Sequence, residues 1–196
     1  MASFEMQEAI RLISQSYQGK GWPALTMGIG INSGMMNVGN MGSRYRLAYT
    51  VIGDAVNLSS RLQTMTRVYH VPTICGEETA RNVIDVEFME LDMVHVRGKK
   101  IISKIYHPLG LKSEISDGTR EMLEQHKQAL EFYYNREFSE ADNRFCRLIQ
   151  QNTGFEAYYR YMLQQVLRAK TSPLSPRVKS AEFNACLLTS PEPGQA

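Results

Sequence analysis

The segment YTVIGDAVNLSSR, residues 49–61, places a side-chain amide and a guanidinium four residues apart, at Asn57 and Arg61. Residues at this spacing in a helix lie one turn apart on the same face. A helix that begins just before Asn57 adds free backbone N–H groups and partial positive charge, which favour an anionic ligand, while Arg61 adds a planar fork of donors. The pair is therefore a candidate phosphate-binding site, although ordinary surface helices also carry Asn and Arg at this spacing.

The residues around this pair predict a strand, a turn and a helix that would position it. Val51 and Ile52 are typical of the end of a strand, and Asp54 is predicted to cap a helix over residues 55–66. An apolar stripe on that helix is formed by Leu58, Leu62 and Met65. Because this stripe marks the buried face, the amide and the guanidinium are expected on a separate face.

Two further patterns precede this unit. A first amphipathic helix, which needs a sheet or another helix to cover it, is predicted from the spacing of Met6, Ala9, Ile10 and Ile13. Residues 25–31 and 35–41 predict two strands joined by a tight turn. Gly28, Gly30 and Gly34 imitate a dinucleotide-binding fingerprint, but that motif must lead into a helix, and the second predicted strand excludes it.

The composition narrows the class of protein. A chain of 196 residues with 43% hydrophobic content fits one ordinary domain and a small appendage. A net charge of +2 gives no indication of a nucleic-acid partner, and no apolar run approaches the roughly 20 residues that a membrane helix needs. Three widely spaced cysteines without a C-x-x-C motif argue against a disulfide framework or a zinc site. We expect a cytoplasmic chain with reduced thiols.

The chain changes character after Gly110. Residues 111–119 read as a polar linker, and Asp117 or Thr119 is the predicted N-cap of a helix over residues 120–134. The segment QALEFYYNREFSEADNRFCRLI resembles one tetratricopeptide unit, within helices expected over residues 120–170. We call about residues 1–110 the first module. Since one repeat cannot bury its own apolar face, these helices are expected to dock on the first module or on a partner. A plain helical hairpin without a binding role is the alternative, and residues 171–196 are predicted to be a disordered tail.

Residues 27–62, MGIGINSGMMNVGNMGSRYRLAYTVIGDAVNLSSRL, closely resemble the second half of a class III nucleotidyl cyclase catalytic domain. The resemblance continues through VPTICGEETARNV and VHVRGKKIISKIYHPLG, and so covers about residues 1–110. It implies an α+β fold, an incomplete ferredoxin-like cyclase domain without its N-terminal strands, followed by a small all-α extension. It also implies an adenylate cyclase, which converts ATP to cyclic AMP and pyrophosphate in intracellular signal transduction.

The resemblance assigns roles to four residues. Asn57 is the residue that orients the ribose, and Arg61 is the one that stabilises the α-phosphoryl group. Thr50 stands where many members carry an aspartate that reads the purine, and a threonine there implies ATP rather than GTP; an ordinary strand threonine is the alternative. Lys99 resembles the lysine that binds the terminal phosphates, and a solvated turn lysine is the alternative.

In this family each site lies between two subunits, one of which supplies two aspartates for Mg²⁺ or Mn²⁺. The motifs that carry these aspartates are absent here, and Glu5 and Glu8 are not substitutes. The metal ligands are therefore expected from outside this chain. The expected assembly is a homodimer or a heterodimer with a cyclase domain, and little activity is expected from a homodimer, because neither of its sites would have the metal-binding aspartates. It is expected to be a fragment of a bacterial signalling protein, such as the cytosolic part of a membrane-bound sensor cyclase. The alternatives are a non-catalytic interaction module that pairs with a complete cyclase, and a guanylate cyclase.

Overall fold

The computed structural model of the chain describes residues 1–43, 46–95 and 102–171, and its fold is α+β. The helices are α1 (Ala2–Gln18), α2 (Asp54–Tyr69), α3 (Glu77–Asn82), α4 (Asp117–Tyr134), α5 (Phe138–Gln150) and α6 (Glu156–Thr171). The strands are β1 (Ile29–Ile31), β2 (Asn37–Ser43), β3 (Arg46–Ile52), β4 (Thr73–Gly76), β5 (Val86–His95) and β6 (Ile102–Leu111). Lys99 lies outside the described residues. The predicted tail also lies outside them, except for its first residue, Thr171.

Four of the strands form the main sheet, in the order β1-β4-β6-β5. β1 and β4 are parallel, whereas β6 is antiparallel to both β4 and β5. β2 and β3 pair with each other as a separate antiparallel sheet. The predicted tight turn between the first two strands is therefore wrong, because β1 and β2 belong to different sheets. Parallel neighbours such as β1 and β4 need a crossover connection, and α2 lies within it.

Two glycines let α2 lie directly on β1. A Cβ atom at Gly30 would collide with the backbone of Ser59 and Gln63, and one at Gly28 would collide with Thr66. The close approach also allows the hydroxyl of Ser59 to donate a hydrogen bond of 2.8 Å to the Gly30 carbonyl. The glycines that imitate a dinucleotide motif thus serve helix–strand packing. On the same side of α2, the predicted apolar stripe packs into the core, where its buried members are Leu62 and Met65.

A β-bulge interrupts β5. The pairing of β5 with β6 shifts between Glu90 and Asp92, so Leu91 is the extra residue. Met89 and the bulged Leu91 are buried, whereas Asp92 and Val94 are the buried residues after the shift. The bulge therefore reverses which alternate side chains face the core, and it directs the carboxyl group of Asp92 inward.

The three C-terminal helices pack on the β5–β6 side of the main sheet and share one hydrophobic core with it. Of the two expected possibilities, docking on the first module or on a partner, the structure shows the first, whereas the tetratricopeptide likeness stays a prediction. The predicted N-cap of α4 is wrong: Ser116, in an extended conformation, accepts a 3.2 Å hydrogen bond from the Thr119 N–H, and Asp117 is already helical. We call α4–α6 the helical extension.

Polar contacts attach α1 to the rest of the fold. The Gln7 amide donates to the carbonyls of Met27 and Pro72, at 2.9 and 3.0 Å. Most of the predicted apolar stripe of α1 is nevertheless not covered by the described residues. Met6 and Ile13, for example, are 49% and 45% exposed. None of the described helices combines the length and apolar character that crossing a bilayer requires.

Candidate functional site at the start of helix α2

A glycine connects β3 to α2. Gly53 is the N-cap of α2 with φ 154° and ψ 167°, a conformation that other residues rarely adopt. A Cβ atom there would also lie 3.3 Å from the Cα atom of Met36. The Gly53 carbonyl accepts hydrogen bonds of 3.1 Å from the N–H groups of Val56 and Asn57. The predicted cap, Asp54, is instead the first helical residue, because the required backbone geometry is available to the glycine before it.

The predicted pair lies at the surface of α2. Asn57 is exposed and Arg61 is half-buried, whereas Leu62 on the opposite face is fully buried. The pair is four positions apart, so the rise of the helix between Asn57 and Arg61 is about 6 Å. No hydrogen bond or ion pair joins either side chain to another residue in the described ranges. Their donors are therefore available to a ligand or to a second chain.

The other predicted binding residues have different outcomes. Thr50 lies on β3, opposite Gly39 of β2, and its side chain is exposed. Because β3 runs through Gly53 directly into α2, Thr50 and Asn57 belong to adjoining elements. Lys99 lies outside the described residues, so its position relative to the pair stays a prediction.

Apolar side chains surround this region at the surface. Seven large ones are exposed in β2, β3 and the loop before them: Met35, Met36, Val38, Leu47, Tyr49, Val51 and Ile52. Tyr49 next to Thr50 is 76% exposed. Large apolar side chains concentrated on one hairpin are typical of a surface that another chain covers.

Three carboxylates lie near the start of α2, and two of them already pair with an arginine. Asp54, Glu77 and Glu78 line an open cavity of about 450 Å³. Arg81 pairs with both glutamates, at 3.0 and 3.5 Å, and Glu77 also accepts a hydrogen bond from the Lys104 N–H. Within the described ranges no group of three His, Cys, Asp or Glu side chains could hold a metal ion. The described residues therefore offer no cluster of this kind for the divalent metal that the resemblance implies.

At its other end, α2 enters a buried polar junction that sequence reasoning missed. The Tyr69 hydroxyl donates to the Asp92 carboxylate at 2.9 Å, and the Tyr158 hydroxyl donates to the Leu91 carbonyl at 2.7 Å. His126 Nε2 donates to the Glu90 carbonyl at 2.6 Å, since a carbonyl can only accept. We call these contacts the bulge junction. The broken alternation in VEFMELDMVHV was the available signal.

Burial sets the protonation of the groups in the bulge junction. It raises the pKa of Tyr69 and that of Tyr158 well above the usual value, with further increases from the nearby Asp92 charge. Both phenols therefore remain protonated donors. Burial also lowers the pKa of His126 to about 4, and its Nδ1 atom has no hydrogen-bond partner among the described residues. His126 is thus a neutral imidazole that donates through Nε2.

Comparisons with known proteins locate the relationship in the first module. Residues 1–108 match the family model of the adenylate and guanylate cyclase catalytic domain. An adenylate cyclase of Anabaena cylindrica is 37% identical over 90 residues, which cover 44% of this chain and 18% of that protein. Adenylate cyclase 1 of Rhizobium meliloti (strain 1021) is 28% identical over 107 residues, which cover 54% of this chain and 16% of that protein.

The chain spans less than a fifth of the length of these two relatives, at 18% and 16%. Among solved structures, the guanylyl cyclase Cya2 is similar, with 29% sequence identity and a TM-score of 0.47. That match covers 57% of this chain and 56% of the Cya2 chain.

Proposed function

The chain belongs to the class III adenylate and guanylate cyclase catalytic domain family, and from this premise we propose that it contributes the ribose- and phosphate-binding half of an adenylate cyclase site. The observation that supports this most directly is the available pair at the start of α2, Asn57 and Arg61. The proposed reaction is ring closure of ATP. The ribose 3′-hydroxyl releases its proton to solvent and its oxygen attacks the α-phosphorus. The bond from that phosphorus to the bridging oxygen breaks, and pyrophosphate leaves with the bonding electrons.

Each residue of the pair has a defined task in this proposal. The Asn57 amide orients the ribose, so that its 3′-oxygen lies in line with the bond that breaks. The Arg61 guanidinium donates to the α-phosphoryl oxygens and stabilises the charge that develops on them. A guanidinium suits this task because its fork of N–H groups matches phosphoryl oxygens and stays charged at any relevant pH.

The proposed base is adenine. Thr50 would contact it with a hydroxyl, and it lies on the strand that leads into α2. The two relatives are named as adenylate cyclases, which favours the same substrate. Lys99 is proposed to bind the terminal phosphates.

A second chain completes the site in this proposal. It supplies the carboxylates for Mg²⁺ or Mn²⁺, which the described residues do not provide as a group. The exposed apolar hairpin beside Thr50 offers a surface for that chain. The chain alone is therefore proposed to have very little cyclase activity.

Complementation tests the proposal. The chain is mixed with a class III cyclase that keeps its metal-binding aspartates but has alanine in place of its own Asn and Arg. Cyclic AMP production from the mixture, at least 100-fold above either protein alone, is expected because only the mixed site has both halves. Parallel reactions with GTP test the base. If the mixture binds but produces neither cyclic nucleotide, the proposed function is refuted.

Variants of the pair sharpen this test. Asn57→Ala and Arg61→Ala are each expected to reduce the kcat of the mixture by about 100-fold or more, the usual cost of removing a transition-state donor. Arg67→Ala is the matched control, because it removes an exposed arginine from the last turn of the same helix. Equal losses for Arg61→Ala and Arg67→Ala would contradict the assigned role.

A second candidate function is a non-catalytic interaction module for a complete cyclase. The exposed apolar side chains of the β2–β3 hairpin favour it. Under this alternative, the chain binds the cyclase and changes its activity, but Asn57→Ala and Arg61→Ala leave that effect unchanged.

A further inference from the structure

Three successive residues of β5 hold three different helices. The carbonyl of Glu90 accepts from His126 of α4, and the carbonyl of Leu91 accepts from Tyr158 of α6. The side chain of Asp92 accepts from Tyr69 of α2. Leu91 is the extra residue of the bulge, so its carbonyl is displaced from the regular ladder and available to a side-chain donor.

Aromatic contacts join α2 to α6 at the same place. The rings of Tyr69 and Tyr161 meet edge to face with centroids 5.0 Å apart, and those of Tyr69 and Tyr158 stack at 6.5 Å. Tyr69 and Tyr158 are fully buried. The end of α2 is therefore enclosed between the sheet and the helical extension. The Tyr69 hydroxyl contacts the sheet, and the Tyr69 ring contacts the extension.

The middle of α2 rests on β1 and its start carries the proposed binding pair. Gly30 of β1 and Gly28 just before it contact α2 on either side of Gln63. Asn57 and Tyr69 lie six residues before and after Gln63, or about 9 Å in each direction along the helix. A tilt that moves the Tyr69 end therefore moves the Asn57 end by a similar distance.

We propose that the helical extension positions α2, with Tyr69, Asp92 and Tyr158 acting as positioning residues for the pair at its start. This inference rests on the proposed cyclase function, because positioning matters only if the pair meets a substrate. A misplacement of reacting groups by about 1 Å can lower a rate about 100-fold. A hydrogen bond at one end of α2 can thus control the reaction at the other end.

Neighbouring tyrosines of α6 provide a matched pair of variants. Tyr158→Phe removes the hydroxyl that binds the Leu91 carbonyl across the boundary between the modules. Tyr159→Phe removes a buried hydroxyl whose hydrogen bond among the described residues is to the sulfur of Met122, at 3.2 Å, inside the helical extension. Both variants keep their rings and lose one oxygen, so a general loss of stability affects both.

Amide hydrogen exchange gives a readout that needs no activity. In Tyr158→Phe, exchange over residues 57–69 of α2 is expected to be at least tenfold faster than in Tyr159→Phe. If the two variants exchange alike over α2, the anchoring of this helix by the extension is refuted. Should Tyr158→Phe fail to fold, Tyr161→Leu replaces it, because it removes the α6 ring that meets the Tyr69 ring of α2 edge to face.

The complementation assay supplies the functional readout. Tyr158→Phe and Tyr69→Phe are expected to lower kcat about tenfold with KM for ATP changed less than twofold, because the pair acts on charge in the transition state. Tyr159→Phe is expected to retain wild-type kcat. Faster exchange in α2 with unchanged kcat refutes the positioning role. A wild-type mixture without activity instead refutes the proposed function, and the exchange comparison still decides the anchoring.

Discussion

The stability of the chain is expected to fall as the pH is lowered from 7 to 5, because of His126. This imidazole is 1% exposed, and the rings of Tyr158 and Tyr159 lie 5.7 and 5.8 Å from it. Its Nε2 atom donates to the Glu90 carbonyl, which leaves Nδ1 as the atom that would take up a proton. Since Nδ1 has no acceptor among the described residues, protonation would place a buried charge without a hydrogen-bond acceptor inside the bulge junction.

The sign and size follow from the two pKa values of His126. Burial lowers the pKa from 6.5 to about 4 in the folded state, so the unfolded chain binds more protons between these two values. The contribution of neutral His126 is present above pH 6.5 and is lost as the pH falls toward 4. The expected loss in the free energy of unfolding is about 2 kcal/mol between pH 7 and pH 5. Burial also lowers the pKa of His107, which adds to the loss in the same direction.

Urea denaturation followed by circular dichroism at pH 7, 6 and 5 measures this loss. His126→Gln is the control, because a glutamine amide can still donate to the Glu90 carbonyl but does not titrate. The variant is expected to lose less stability than the wild type between pH 7 and 5, with the remaining slope due to His107 and the carboxylates. Equal slopes for the two proteins would refute the assignment of the pH dependence to His126.

Further predictions concern packing, capping and thiol chemistry. Gly30→Ala is expected to destabilise the chain by about 2 kcal/mol or more, since its Cβ would collide with α2, whereas Gly39→Ala has open space and should change the stability by less than about 1 kcal/mol. Thermal unfolding of both compares them. Ser116→Ala removes the N-cap of α4 and should cost about 1 kcal/mol in urea denaturation; an unchanged midpoint would contradict the cap. Burial raises the pKa of Cys75 to about 12, so peptide mapping after iodoacetamide treatment of the native chain at pH 8 should find Cys75 unmodified and the half-buried Cys146 modified.

Local sequence was sufficient to predict that the candidate pair lies on one helix, one turn apart. Helical periodicity places Asn57 and Arg61 one turn apart, and the burial of Leu62 and Met65 confirms which face of α2 meets the core. Patterns of this kind depend on the 3.6-residue repeat within one element, so distant residues do not alter them. The sequence also predicted that the helical extension needs a surface to dock on, because one repeat cannot bury its own apolar face, but it left open whether that surface is the first module or a partner.

Local sequence predicted roughly where α2 and α4 begin, but not which residue caps each helix. Gly53 caps α2 in place of the predicted Asp54, and Ser116 caps α4 in place of Asp117 or Thr119. Several neighbouring residues are acceptable caps by type, and the backbone angles that the surrounding fold imposes select one of them.

Strand partners and the bulge junction were decided only by the tertiary structure. Tyr69 reaches Asp92 across 23 positions, and Tyr158 reaches Leu91 across 67. Such contacts depend on which arrangement of the whole chain buries the most apolar surface while giving buried polar groups a partner. A break in the alternation of β5 was visible in the sequence, but the three helices that meet there became identifiable only when the sheet and the helical extension were packed together.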